Sequence, residues 1–214
     1  MNTDSSSLSR RRASQPVLAA LVCCGVALVF WSAVRFWSAG DPPETAAERT
    51  SAELIRQAGA LWEKSTQRPF TGWLVERYPE GSLRSRSWLS NGVLSGISEG
   101  WHTNGVLQIQ EHFLAGVSEG PVTRWRDDGS KVSEGVAQAG KLEGWFRRWH
   151  TNGQMSEEVT LRVGEPFGLS RSWFPSGSLQ AEVRLDAGRV VTQHFWKDGD
   201  KDGRNLATVN VSSP

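Results

Sequence analysis

Residues 144–155 read Gly-Trp-Phe-Arg-Arg-Trp-His-Thr-Asn-Gly-Gln-Met, and variants of this stretch recur along the chain. Glycine marks the recurrence most clearly, because glycines fall at three fixed offsets of a 24-residue period. The three sets are Gly72, Gly96, Gly120, Gly144 and Gly168, then Gly81, Gly105, Gly129, Gly153 and Gly177, then Gly92, Gly116, Gly140, Gly164 and Gly188. A fixed period of this length is typical of repeat architectures. The sequence predicts five repeats and a partial sixth, over 72–95, 96–119, 120–143, 144–167, 168–191 and 192–203.

Large apolar side chains follow the same period. Five positions after the first glycine set the chain carries Trp101, Trp125, Trp149 and Trp173. Eleven positions after it stand Leu83, Leu107, Met155 and Leu179, and seventeen positions after it stand Leu89, Phe113, Ala137, Leu161 and Leu185. Because these offsets share parity, they can point to one face of extended chain. We therefore expect one continuous layer of tryptophan and leucine.

Turn signals separate the extended segments. In four of the five repeats, Asn, Asp or Ser precedes the glycine of the second set, as in Asn104-Gly105 and Asp128-Gly129. Such pairs are typical of tight hairpins that need positive φ. We therefore predict structural turn glycines and, near the third glycine set, a return turn. The predicted turn glycines are Gly81, Gly105, Gly129, Gly153 and Gly177.

One hairpin cannot bury an apolar face in water, so the repeats must pair edge to edge and share a core. The predicted fold class is an all-β repeat, with an elongated, twisted antiparallel sheet of tandem β-hairpins over residues 70–203. A C-terminal tail, 204–214, follows. The helix described next and the segment after Gly199 are expected to cover the two open edges.

A short amphipathic helix is predicted between the N-terminal region and the repeats, over 41–65. Asp41-Pro42-Pro43-Glu44 combines an N-cap, an early proline and an acidic first turn. An apolar stripe at helical spacing follows, formed by Leu54, Ile55, Ala58, Leu61 and Trp62. We expect this helix to cap the first edge of the sheet.

An apolar run near the N-terminus predicts a membrane anchor. Residues 17–34 are apolar apart from Gly25 and Ser32. A helix of about 18 residues nearly spans a hydrocarbon core of roughly 30 Å. The neighbouring Cys23 and Cys24 lie inside this run, so they can supply neither a disulfide nor a zinc site to the rest of the chain.

Basic residues orient the anchor. Arg10, Arg11 and Arg12 lie just before the run, so the positive-inside rule places the N-terminus in the cytoplasm. The prediction is a cytoplasmic segment over 1–15, a transmembrane signal anchor over 16–37 and a periplasmic or extracellular repeat domain. A cleaved signal peptide is the alternative, since Ser38-Ala39-Gly40 offers small residues for a peptidase. Both interpretations export the repeats.

The stretch over 144–155 resembles the MORN repeat, in particular the variant found in tandem in bacterial YwqK-like antitoxin proteins. Trp101-His102, Trp149-His150 and Trp173-Phe174 correspond to the aromatic pair of that motif, and Leu107, Met155 and Leu179 to its aliphatic position. The resemblance covers about residues 70–203. It implies a ribbon of β-hairpins used for protein contacts, with roles also proposed in lipid binding and in neutralising a toxin.

Catalytic chemistry has no support in the sequence. No nucleophile with a local base, phosphate loop or dinucleotide fingerprint occurs. His102 and His150 share a repeat position, but the strands between them separate them too far for one metal ion. We expect no enzyme activity, no catalytic residue, no cofactor and no metal.

Charge excludes one class of partner. The chain has 24 Lys plus Arg against 23 Asp plus Glu, and residues 70–203 have 15 against 17. A near-neutral domain predicts no nucleic-acid partner. The candidate binding face is the tryptophan row Trp101, Trp125, Trp149 and Trp173.

Three functions fit these observations. The first is a non-catalytic, membrane-anchored repeat protein that binds an unidentified protein or organises an envelope complex. The second is an antitoxin or immunity role, and the third is an envelope glycan-binding module.

Overall fold

A computed structural model describes residues 45–186, 188–200 and 207–210, which belong to one compact unit. Within them the secondary structure is all-β apart from the single 3-10 turn η1 (Ser51–Glu53). The strands before the repeats are β1 (Glu48–Arg49), β2 (Leu54–Gln57), β3 (Ala60–Glu63) and β4 (Arg68–Pro69). Those of the repeats are β5 (Gly72–Arg77), β6 (Leu83–Ser90), β7 (Val93–Trp101), β8 (Leu107–Leu114), β9 (Val117–Trp125), β10 (Lys131–Gln138), β11 (Lys141–Trp149), β12 (Met155–Arg162), β13 (Glu165–Trp173), β14 (Leu179–Asp186), β15 (Arg189–Phe195) and β16 (Ala207–Asn210).

Thirteen of the described strands form one sheet. Its order is β1 followed by β5 through β16 in chain order, and every pair from β5 onward is antiparallel. Strand β1 pairs in parallel with β5, and β2, β3 and β4 form a separate small sheet. The predicted antiparallel sheet of tandem hairpins is therefore confirmed.

The predicted anchor over 16–37 and the segment over 1–15 lie outside the described residues. Among the residues that the structure describes, no helix is long and apolar enough to cross a membrane. The tail over 204–214 falls partly outside as well, and its residues 207–210 form β16.

The helix predicted over 41–65 is wrong wherever it can be compared, from residue 45 onward. Strands β2 and β3 form a hairpin there, with Ala58 and Gly59 at φ of 50° and 82° in its turn. Leu54 and Leu61 are seven residues apart and would share one face of a helix. They share one face of this hairpin as well, because Leu61 pairs with Arg56, two residues after Leu54 on the same strand. The same apolar spacing therefore fits both structures.

The small sheet does cap the repeats, as the helix was expected to do. Leu54 and Phe70 are buried against Leu89 of the first repeat, which is 1% exposed. The N–H of Leu61 donates to the carbonyl of Gly92 at 2.8 Å, and the N–H of Gly92 donates to the carbonyl of Phe70 at 2.6 Å. The first tight turn of the sheet is thus the docking point of the cap.

The tightest turns lie at the third glycine set, where the return turns were predicted. Residue pairs such as Ala115-Gly116, Ala139-Gly140 and Val163-Gly164 both have positive φ, as a two-residue type I′ turn requires. Asn91-Gly92 has the usual composition of this turn, but alanine and valine are unusual there because their Cβ disfavours positive φ.

Three-residue loops connect the other ends of the strands. In the loop after Trp101, the N–H of Gly105 donates to the carbonyl of His102 at 2.9 Å, and the N–H of His102 donates to Val106 at 2.8 Å. Only the glycine has positive φ, so this is a type I turn closed by a glycine bulge. Gly81, Gly105, Gly129, Gly153 and Gly177 have φ of 94°, 83°, 83°, 82° and 87° in these loops.

The register of the strands defines two faces of the sheet. We call the face that carries the four tryptophans the front face. Trp101 pairs with Leu107 beside the loop, but Gly100 pairs with Ile109 and Gly96 with Phe113. Paired residues share a face and neighbours alternate, so Phe113 lies on the opposite, back face. The prediction that the tryptophans and the residues seventeen positions after the first glycines form one layer is therefore wrong. Paired residues of a hairpin, such as Glu99 and Gln110, are an odd number of residues apart. Two residues an even number apart on the two strands, such as Trp101 and Phe113, therefore lie on opposite faces.

The back face holds the most buried apolar side chains of the later repeats. Ala137, Val159 and Leu161 are 4%, 7% and 8% exposed, although no second layer of described strands covers them. At the first repeat this face is covered by the cap, through Leu74 and Leu94.

Replacing Val163 by Asn should stabilise the protein. Val163 has a φ of 54° and is 58% exposed, so valine contributes little burial there and suffers steric strain. Asn tolerates this conformation and already stands at the equivalent Asn91. We expect about 1 kcal/mol more unfolding free energy, measured by urea unfolding of the full-length protein followed by tryptophan fluorescence. Ala139→Asn is the matched control and should gain less; a destabilised V163N would contradict the assignment of strain.

Gly92→Ala should detach the cap, whereas Gly140→Ala should not. Both glycines have φ near 80°, but a Cβ at Gly92 would lie 2.5 Å from the carbonyl oxygen of Leu61, and a Cβ at Gly140 would lie 3.5 Å from its nearest neighbour, Val117. Both variants should lose about 1 kcal/mol to backbone strain. Only G92A should also speed hydrogen exchange in β2 and β3, and equal protection of the cap in both variants would refute the docking role.

Candidate functional site

The four predicted tryptophans form a column on the front face. Trp101, Trp125, Trp149 and Trp173 end strands β7, β9, β11 and β13, and each is half-buried. Successive members are two strands apart, which corresponds to about 10 Å. None of the four indole N–H groups makes a hydrogen bond within the described part of the chain, and none is buried away from solvent. The column thus offers aromatic surface and unused donors at regular intervals.

A second apolar column runs parallel to the first, four residues away along the same strands. Its members are Ile97, Pro121, Trp145 and Leu169. Ile97 is half-buried, whereas Pro121, Trp145 at 41% and Leu169 at 37% are exposed. Sequence reasoning missed this column because its residue types differ, although all four lie at one offset of the period.

A ladder of opposite charges separates the two columns. Register places Arg86, Glu99, Glu134, Arg147, Glu158, Arg171 and Glu182 in one row across the front face, with Gln110 and Thr123 between Glu99 and Glu134. The shortest pairs are Arg86 with Glu99 at 2.6 Å, Arg147 with Glu158 at 2.7 Å and Arg171 with Glu182 at 2.9 Å. Each partly exposed pair contributes at most about 1 kcal/mol. The main consequence is that the ladder's charges satisfy one another.

Cations from the protein lie over some of the front-face rings. The Arg86 guanidinium is 4.4 Å from the Trp73 centroid and 5.8 Å from that of Trp101, and the Lys131 ammonium is 5.0 Å from that of Trp149. Arg147 lies 4.8 Å from the Trp145 centroid. Among the described residues no cation lies over Trp125 or Trp173.

The residue after each tryptophan position connects one repeat to the next. Tyr78 donates from its hydroxyl to the carbonyl of Trp101 at 2.8 Å, and Arg126 donates to the carbonyl of Trp149 at 2.7 Å. Two histidines make the same contact. His102 Nε2 lies 3.0 Å from the carbonyl of Trp125, and His150 Nε2 lies 2.8 Å from that of Trp173. Because a carbonyl only accepts, Nε2 must carry the proton in both rings.

This column varies in residue type but keeps one property, a long side chain that donates a hydrogen bond. Phe174 is the exception, because its side chain has no donor. The residue 24 positions after Trp173, whose carbonyl Phe174 would have to reach, is Lys197 and not a tryptophan. Tyrosine, histidine and arginine can all donate a hydrogen bond, but they differ in shape and charge. The sequence therefore indicates this position only through the shared ability of its residues to donate.

The loops are also bonded to one another. Asn104 donates from Nδ2 to the carbonyl of Asp127 at 2.7 Å, and Asn152 donates to that of Pro175 at 2.6 Å. The last such contact uses Asp198, which accepts from the hydroxyls of Ser176 and Ser178. These hydrogen bonds lower the pKa of Asp198, and hydrogen bonds from Ser130 lower the pKa of Asp128. Both carboxyls therefore stay ionised at neutral pH.

The four histidines do not gather. His102 and His150 are occupied by separate carbonyls, and His112 and His194 lie on the non-adjacent strands β8 and β15. Within the described residues no group of three or more His, Cys, Asp or Glu side chains is arranged to hold a metal ion.

A scan against protein-family models finds no match, and no curated protein matches the sequence.

Replacing His150 by Phe should weaken the junction between the fourth and fifth repeats. The variant keeps an aromatic ring but leaves the Trp173 carbonyl without its donor, which should cost about 1 kcal/mol. His150→Arg should retain the stability, because Arg126 makes the equivalent bond. Urea unfolding of both variants provides the measurement. Equal losses in H150F and H150R would show that ring packing, and not the hydrogen bond, matters there.

Proposed function

We propose that this chain is a non-catalytic, membrane-anchored scaffold of the MORN-repeat type, which binds another protein through its tryptophan column. The observation that carries this proposal is the column itself: four half-buried indoles on one face, with no described element packed over them and with unused N–H groups. Rigid aromatic side chains with a polar edge are enriched in protein interfaces.

The charge ladder supports a protein partner over a purely electrostatic one. The ladder's acids and bases pair with each other, and so they leave little net field to attract nucleic acid or anionic lipid. The two apolar columns on either side of the ladder lose their water at a lower free-energy cost than charged groups do. A partner would bury the indoles and leave the paired charges as a polar surround, which is the anatomy of specific interfaces.

Tethering follows from the N-terminal sequence. The apolar run over 17–34 has the length of a membrane span, and the arginines before it favour a cytoplasmic N-terminus. Under this proposal the repeats face the periplasm or the cell exterior. A tethered partner-binding module gains effective concentration at the membrane surface, so even a modest intrinsic affinity suffices there.

Partner capture that depends on the tryptophans tests this function. Full-length protein in membranes of the source cells would be crosslinked, purified under denaturing conditions and analysed by mass spectrometry. Replacing Trp101, Trp125, Trp149 and Trp173 together by Leu should remove the specific partner, because the aromatic anchors of an interface carry most of its energy. Circular dichroism and urea unfolding would establish that this variant is folded.

A matched control uses exposed apolar residues elsewhere on the sheet. Leu114 and Val163, 57% and 58% exposed, lie beside the tight turns, far along the strands from the tryptophan column. The double variant Leu114→Ser with Val163→Ser should retain the partner. Capture that persists in the folded fourfold tryptophan variant would disprove the proposed role of the column.

A further inference from the structure

The four rings of the tryptophan column differ in one respect, and the difference alternates from repeat to repeat. Trp101 has the Arg86 guanidinium within 5.8 Å of its centroid, and Trp149 has the Lys131 ammonium within 5.0 Å. Trp125 and Trp173 have no such cation among the described residues. Two rings of the column, Trp101 and Trp149, therefore already have a cation of the protein over them. We call the other two, Trp125 and Trp173, the open rings.

The charges near an open ring favour a cation. Asp127 follows Trp125 by two residues, is exposed, and its carboxylate makes no hydrogen bond or ion pair within the described part of the chain. Asp128 is next to it and is ionised. Of the two bases next to Trp125 in sequence, Arg124 lies on the back face, and Arg126 is already committed to the carbonyls of Lys131 and Trp149. Lys131, the register partner of Trp125, reaches the Trp149 ring instead.

The second open ring has a comparable setting. Trp173 precedes the loop that holds Ser176 and Ser178, and both hydroxyls donate to the carboxylate of Asp198. Arg171, the base nearest in sequence, is paired with Glu182 at 2.9 Å. Asp128, in the loop after Trp125, and Asp198, bonded to the loop after Trp173, are thus held ionised by hydrogen bonds. Arg126 and Arg171 are bonded to other groups.

The distance between the open rings fixes the geometry of a ligand. Trp125 ends β9 and Trp173 ends β13, four strands apart, which corresponds to about 19 Å. An extended chain rises about 3.3 Å per residue, so roughly six residues cover this distance. Residues six apart on an extended segment also point in the same direction.

We propose that the tryptophan column binds an extended segment of a partner protein that carries two Arg or Lys side chains six residues apart, one over Trp125 and one over Trp173. The segment crosses the strands beside the loops, and Asp127 adds charge attraction at the first of the two positions. This inference rests on the proposed function and names the chemistry of its partner.

Defined peptides test the proposal. The probes are fluorescein-labelled Gly/Ser peptides that carry two Arg six residues apart, two Arg three residues apart, two Glu six apart or two Gln six apart. Binding to the full-length protein is measured by fluorescence anisotropy at low ionic strength. The Arg pair six apart should bind about tenfold more tightly than the Gln pair, since each exposed cation–π contact is worth roughly a threefold change. It should also bind more tightly than the Arg pair three apart, and the Glu pair should bind worst.

Protein variants locate the site. Trp125→Leu and Trp173→Leu should each weaken binding of the six-apart Arg peptide about threefold. Leu114→Ser is the control and should leave the affinity unchanged, because Leu114 is 57% exposed beside a tight turn, far along the strands from the tryptophan column. Equal affinities for the Arg and Gln pairs, as a neutral stacking surface for glycan would give, overturn the proposal. So does a loss in L114S as large as that in W125L.

Failure here is distinguishable from failure of the scaffold function. Partner capture depends on the tryptophans whatever charge the partner carries. A captured partner combined with charge-independent peptide binding overturns only the cationic ligand, whereas a partner retained by the fourfold tryptophan variant overturns the scaffold role of the column.

Discussion

The hydrogen bond from one repeat to the tryptophan carbonyl of the next is the interaction on which the sheet depends. A strand ladder alone permits slippage, because its backbone partners are equivalent at every second residue. The side chains of Tyr78, His102, Arg126 and His150 each reach a carbonyl 23 residues ahead. Together with the contacts between loops, they allow a single alignment of neighbouring repeats. This alignment brings equivalent front-face residues of successive repeats into columns.

The sequence predicted the positions of the repeats and of their turns, but not the type of each turn. Glycine periodicity alone was enough to place the hairpins, since glycine adopts positive φ without steric strain. It did not show which glycine closes the tighter turn, because Ala115, Ala139 and Val163 stand where Asn or Gly is usual. The helix predicted over 41–65 was wrong because a spacing of seven residues unites Leu54 and Leu61 in a helix and in a short hairpin alike. Arg49 and Glu63, paired at 2.6 Å, complete the cap in a way that no local pattern signalled.

The candidate site was predicted in part. The tryptophan column followed from one offset of the period, but its surroundings depend on strand register. Opposite charges such as Arg147 and Glu158 are eleven residues apart, and only the pairing of β11 with β12 brings them together. Which indole receives a cation is likewise decided across strands, as Lys131 shows by reaching Trp149 and not its register partner Trp125.

Phe174 makes the two ends of the repeat array unequal. Every earlier residue at its position fastens its repeat to the one after, but phenylalanine has no donor. At the other end, the cap closes the first repeat with Leu54, Phe70 and an ion pair. The cooperativity of a linear repeat protein comes from its junctions, so unequal junctions distribute stability unevenly along it. We therefore expect the last repeats to open before the first, which lets the C-terminal end adapt its shape while the N-terminal half stays folded.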